Sequence, residues 1–144
     1  MSFDEAYVLG IVESVHAKGL FGIMESARDD VDFTFINPNP NIKDYPLSGK
    51  FDKAGVIKTV GRFVSALQTP PKYTIGNVIV DTKARKAAFE LRSQSTTKDG
   101  KEFDQYHCWV AEFDGDGQKP LIKKLHAYAD SALAKRVLAD NPEK

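Results

Sequence analysis

Cysteine is nearly absent: Cys108 is the single one in 144 residues, which leaves no partner for an internal disulfide and no thiolate set for a zinc site. A lone thiol fits a reducing compartment, and a cytoplasmic location is expected. Net charge is absent too, with Lys plus Arg and Asp plus Glu at 20 each. Without a positive field to gather phosphates, nucleic acid is not an expected partner. No apolar run approaches the ~18 residues that a bilayer span needs. The opening MSFDEAYVLG also lacks the basic and apolar regions of a signal peptide. The chain reads as soluble, with no membrane partner. Glycine-rich phosphate loops are missing, and His16, His107 and His126 lack metal-ligand spacing. No metal and no other cofactor is expected.

What is present is an ordered series of periodic segments, in a length and with 42% hydrophobic content that suit one domain, residues 1–144, around a single core. Phe3, Tyr7, Val8, Ile11, Val12 and Val15 recur at helical spacing, and after a break at Lys18-Gly19, Leu20, Phe21, Ile23 and Met24 open a second short helix expected to end near Arg28-Asp29-Asp30. Val31 to Asn37 alternates as a strand until Pro38-Asn39-Pro40-Asn41 forces a loop reaching about Lys50. Asp52 is placed to cap a third helix carrying Val56, Ile57, Val60, Phe63, Val64 and Leu67, which Pro70-Pro71 ends. Strands are then expected over Tyr73–Val80, Lys86–Thr96, Glu102–Phe113 and Pro120–Tyr128, joined by turns that include Asp99-Gly100 and Asp114 to Gln118. A short helix or a frayed tail is expected over Ala129–Ala139. Helices followed by one mainly antiparallel sheet define an α+β protein.

Three stretches, GKFDKAGVIKTVGRF, KDGKEFDQYHCWVAEFDGDG and IKKLHAYADSAL, together with Leu47 to Lys50 before the third helix and the Tyr128-x-Asp130 ending of the last strand, carry a likeness. With this order of elements the chain resembles the NTF2-like superfamily, and within it the SnoaL-like polyketide-cyclase group. That resemblance covers nearly the whole chain. It implies a cone, a cystatin-like α+β roll with N-terminal helices packed in a bent antiparallel sheet, a pocket between them and a homodimer through the sheet. Relatives of this kind include isomerases, aldol cyclases, dehydratases, epoxide hydrolases and proteins without catalysis, so the fold does not choose a reaction.

The resemblance also implies site positions. An aromatic and an asparagine two residues apart on the first strand match Phe35 and Asn37. Glu90, Arg92 and Gln94 fall on one stretch expected to face the pocket, Gln105, His107 and Trp109 on the next, and Leu125, Ala127 and Ala129 on the last. Epoxide hydrolases of this group need an Asp-Arg-Asp set. Here Glu90 and Arg92 stand at the first two positions and Ala127 at the third, so the epoxide-opening acid is missing.

His107 is the candidate for proton transfer, because an imidazole titrating near ~6.5 gives and takes protons at neutral pH. Glu90 is the candidate partner or alternative base; as a bland alternative, Glu90 and Arg92 form a structural pair on a solvated face. Asn37, Arg92, Gln105 and Tyr45 are expected to bind substrate oxygens, with Phe33, Phe35, Phe63 and Trp109 shaping an apolar wall. Tyr45 could instead pack at the rim. Asp32 has the parity opposite to Phe33 and Phe35 and is expected to point away. His126 reads as a packing or dimer residue, His16 as a surface residue, and Cys108 as no nucleophile. Asp114-Gly115-Asp116-Gly117 echoes a calcium loop but has Leu125 where a glutamate ligand is needed. The expected function is acid/base isomerisation, cyclisation or dehydration of a hydrophobic, oxygenated small molecule such as a polyketide, terpenoid or alkaloid intermediate. A non-catalytic ligand carrier or adaptor is the alternative that Ala127 favours. The expected dimer face includes Phe89, Leu91, Val110, Tyr106 and Tyr128.

Overall fold

Helix α1, Glu5–Lys18, starts where Asp4 accepts a hydrogen bond from the Tyr7 amide at 2.8 Å, and it buries Val8, Ile11, Val12 and Val15 along one stripe. The computed structural model describes residues 3–42, 44–115 and 119–143. Gly19 ends α1 at φ 63° and leads directly into α2, Leu20–Met24. Only glycine fits there, since the backbone is left-handed and an added Cβ would lie 2.1 Å from the Tyr73 ring.

Strand β1 runs over Ala27–Phe35, so Arg28 to Asp30, expected to end the second helix, are already strand, which begins at Ala27 rather than at Val31. Two residues not expected to be a strand, Lys50–Phe51, form β2 along it, with Phe33 opposite Phe51. Helix α3, Lys53–Val64, is capped as expected by Asp52, which accepts from the Gly55 amide at 2.8 Å. It stops short of Leu67, which instead bridges to Thr97. Strands β3 (Lys72–Asp81), β4 (Lys86–Thr96), β5 (Glu102–Phe113) and β6 (Ile122–Tyr128) follow, and α4 (Ser131–Asp140) closes the series. The turn expected over Asp114 to Gln118 lies partly outside the described residues.

The six strands form one curved sheet in the order β2-β1-β6-β5-β4-β3. All neighbours are antiparallel except β1 and β6, which are parallel with Phe33 opposite Leu125. Register shifts between Ile75 and Val78, and between Glu112 and Phe113, are the bulges that bend such a sheet. Its concave side packs on the helices through Phe33, Phe89, Leu91, Trp109, Ala111, Phe113, Ile122 and Leu125, in one core with Val12, Val15, Ile23 and Val56. This is the expected α+β cone.

A second, smaller core at one end holds Ala66, Leu67, Phe103 and Val137. Helix α4 is fastened there by Asn141, whose side chain accepts from the Asp99 amide at 2.8 Å and donates to the Val137 carbonyl at 2.9 Å. Arg62 of α3 donates to the Asn141 carbonyl at 2.9 Å.

The β4–β5 register corrects the expected facing of β4. Residues directly opposite in an antiparallel pair point to the same side of the sheet. Here Leu91 stands opposite His107 and Phe89 opposite Trp109, while Glu90 stands opposite Cys108 and Arg92 opposite Tyr106. The concave face of β4 is therefore Ala87, Phe89, Leu91 and Ser93, all buried. Glu90, Arg92 and Gln94 belong to the convex face. The same correction removes Phe89 and Leu91 from the outer surface and leaves Ile79, Tyr106, Val110 and Tyr128 exposed there.

Candidate functional site

Between the sheet and the helices lies a cavity of about 90 Å³ whose mouth opens to solvent. Its wall is mostly apolar: Leu20 from α2, Val60, Phe63 and Val64 from α3, Phe35 from β1, and Ala134 from α4. Polar groups enter from β4 and β5, where Ser93, Gln105, His107 and Trp109 line the space. Tyr45 and Leu47 reach it from the loop after β1. No described residue of the lining carries a formally charged side chain.

His107 is the titratable centre. Its Nε2 is hydrogen-bonded to Ser93 Oγ at 2.8 Å, and its ring meets the Trp109 ring edge-on with centroids 5.9 Å apart. Burial pushes the imidazole down from 6.5 to about 4, so the ring is neutral at neutral pH. Whichever way the proton lies in the bond to Ser93, Nδ1 has no partner among the described residues. A hydroxyl that donates to Nε2 leaves Nδ1–H as a donor, and an Nε2–H that donates to Oγ leaves the Nδ1 lone pair as a base.

Two further lining residues each hold an unpartnered polar atom. Gln105 Oε1 and Trp109 Nε1 are both buried and have no hydrogen-bond partner among the described residues. The Tyr45 side chain is also buried, its hydroxyl pushed up to about 12 by desolvation.

Of the residues expected at the site, the structure brings together Phe35, Tyr45, Phe63, Gln105, His107 and Trp109. Phe33 sits in the core behind Phe35, with ring centroids 4.5 Å apart. Glu90 and Arg92 are corrections. Glu90 is exposed and accepts from Asn77 Nδ2 at 2.8 Å, while Arg92 makes a two-pronged pair with Asp104 at 2.8 and 2.6 Å and lies over the Tyr106 ring. That pair holds the Asp104 carboxyl below its ordinary range.

Asn37 is a third correction. The backbone turns left-handed at Ile36, φ 60°, so the alternation that would place Asn37 on the side of Phe35 is broken. Its Oδ1 instead accepts from the Asn39 amide at 2.9 Å, an Asx turn that opens the loop.

His126 stacks on Tyr128 at 4.0 Å and bonds the Ile36 carbonyl through Nε2 at 2.9 Å, a packing role as expected. Ser93 is a site residue that the sequence reading misses. Its signal is present all the same: it follows Ala87, Phe89 and Leu91 at alternate positions and places a hydroxyl where that apolar row reaches the cavity.

Helices followed by a curved six-stranded sheet, with a cavity between them, define the NTF2-like fold, and solved structures bear this out. The chain is similar to BvnE pinacolase from Penicillium brevicompactum, at 12% identity and TM-score 0.71, covering 96% of this chain and 92% of that one. An NTF2-like protein of unknown function from Burkholderia pseudomallei matches at 16% identity and TM-score 0.69, covering 96% and 98%. A structure of TerC co-crystallized with polyporic acid matches at 12% identity and TM-score 0.67, covering 96% and 99%. No family model matches the sequence, and no curated protein matches it either.

Proposed function

We propose that the protein is a single-domain, cofactor-independent enzyme that moves a proton on a hydrophobic, oxygenated small molecule, in an isomerisation, cyclisation or dehydration. The observation that carries this reading is the His107–Ser93 pair, a neutral imidazole with an unpartnered Nδ1 at the wall of an apolar cavity. An imidazole so desolvated is a weak base, so it suits a proton already acidified, such as one between two carbonyls. Neighbouring folds that include a pinacolase and a protein crystallised with polyporic acid support the choice of ring-containing metabolites. The single thiol supports a cytoplasmic setting. The exposed apolar groups Ile79, Tyr106, Val110 and Tyr128 on the convex face support a homodimer.

Proton transfer can be followed on a surrogate in place of the native substrate. The protein is incubated in D₂O with a panel of cyclic 1,3-diketones such as 2-acetyl-1-tetralone, and deuterium entry at the acidic carbon is followed by NMR. His107→Ala should lower the catalysed exchange by roughly 100-fold or more, with the fold intact by circular dichroism. Exchange no faster than in buffer, or equal in both proteins, moves the reading to a non-catalytic ligand-binding protein. One observation favours that second reading: with Glu90 on the convex face, no carboxylate among the described residues stands beside His107 to strengthen it.

A further inference from the structure

We infer that the cavity selects an uncharged ligand that presents a hydroxyl at one end and a carbonyl or similar acceptor at the other, read by Gln105 and Trp109. This rests on the cavity being the substrate site. Gln105 and Trp109 are 4% and 3% exposed, both line the same cavity, and each holds one buried polar atom without a partner among the described residues. Buried polar atoms are nearly always satisfied, so an orphan at a cavity wall marks a place that a ligand atom fills.

The two atoms have opposite needs. Gln105 Oε1 only accepts, which calls for a hydroxyl donor on the ligand. Trp109 Nε1–H only donates, which calls for an oxygen acceptor. They lie on the same face of β5 with His107 midway, and the strand rise separates their Cα atoms by roughly 13 Å. A fused-ring scaffold matches that separation better than a two- or three-carbon metabolite does. Charge decides the rest. With no cation among the described lining residues and His107 neutral, an ionised carboxylate or phosphate would lose its water and gain no counter-charge.

Trp109 is the only tryptophan of the chain, so its fluorescence reports the cavity directly. Four probes separate the terms: 6-acetyl-2-naphthol has both groups, 6-acetyl-2-methoxynaphthalene lacks the donor, 2-naphthol lacks the carbonyl, and 6-hydroxy-2-naphthoate carries a charge. The hydroxyketone should bind at least ~10-fold more tightly than the ether or the naphthol, and the naphthoate most weakly. Gln105→Leu should bring the hydroxyketone to the level of the ether and at the same time raise Tm by about 2–4 °C, because it deletes an unsatisfied buried acceptor. Trp109→Phe, followed by calorimetry, should erase the preference for the ketone over the naphthol.

Equal affinity for all four probes, tightest binding of the naphthoate, or no binding of any would overturn the inference. So would a fall in Tm for Gln105→Leu, which would show that the amide already has its partner in the empty protein. Selective binding without deuterium exchange would leave the inference standing and remove only the catalytic reading.

Discussion

Ser93 and His107 are not opposite one another across the sheet, yet their side chains meet at 2.8 Å, because Ser93 pairs with Gln105 and reaches diagonally to the next inward residue of β5. The diagonal bond fixes the ring and decides which nitrogen is left for a ligand. Ser93→Ala should therefore lower deuterium exchange about 10-fold through loss of ring orientation, with less effect on binding of 6-acetyl-2-naphthol. Exchange unchanged in Ser93→Ala would show that the hydroxyl has no part in positioning the imidazole.

The desolvated, half-buried imidazole ties stability to acidity. The folded state holds His107 neutral down to about pH 4, whereas the unfolded chain takes up the proton near 6.5. Between these values the unfolded state binds more protons, so stability is full above 6.5 and falls as pH drops toward 4. A shift of this size corresponds to about 3 kcal/mol. Denaturant titrations from pH 7 to pH 4 should show that His107→Gln flattens this slope. An unchanged slope would mean that other groups set the acid sensitivity.

On the convex face the expected effects are small. Glu90→Gln and Arg92→Lys should leave deuterium exchange within about 2-fold of the parent, since neither side chain shares the concave side with His107. The Arg92–Asp104 pair itself is open to solvent, which screens it. A loss of roughly 100-fold in either variant would overturn the facing described above.

The exposed rings on that face bear on assembly. Light scattering should give a dimer at micromolar concentration, and the double variant Ile79→Asp with Tyr106→Asp should give a folded monomer. A monomeric parent protein would end the proposal.

Much of the fold is legible in the sequence because periodicity and punctuation agree at each element. Asp52 announces the third helix, and Asp99-Gly100 announces the β4–β5 hairpin. Facing is harder. Once Thr96 pairs with Glu102 across that turn, even-numbered residues of β4 share a side with even-numbered residues of β5, so His107 excludes Glu90 and Arg92 and selects Leu91 and Ser93. The polar residues of β4 mislead as a cavity lining, although the apolar row Ala87, Phe89 and Leu91 already marks the inside. Asn37 fails for a local reason, because alternation cannot be carried through a left-handed residue at Ile36. The parallel contact of β1 with β6 and the two-residue β2 lie beyond sequence reading, since both are made by tertiary pairing with distant segments.

Asn141 ties the last helix to the β4–β5 turn at Asp99, while Ala134 of that helix forms part of the cavity wall. The turn is therefore an anchor for one wall of the cavity, held from outside it: the Asp99 amide keeps its bond to Asn141 whatever side chain stands there, and the Asp99 carboxylate adds only the 3.3 Å contact from Asn141 Nδ2.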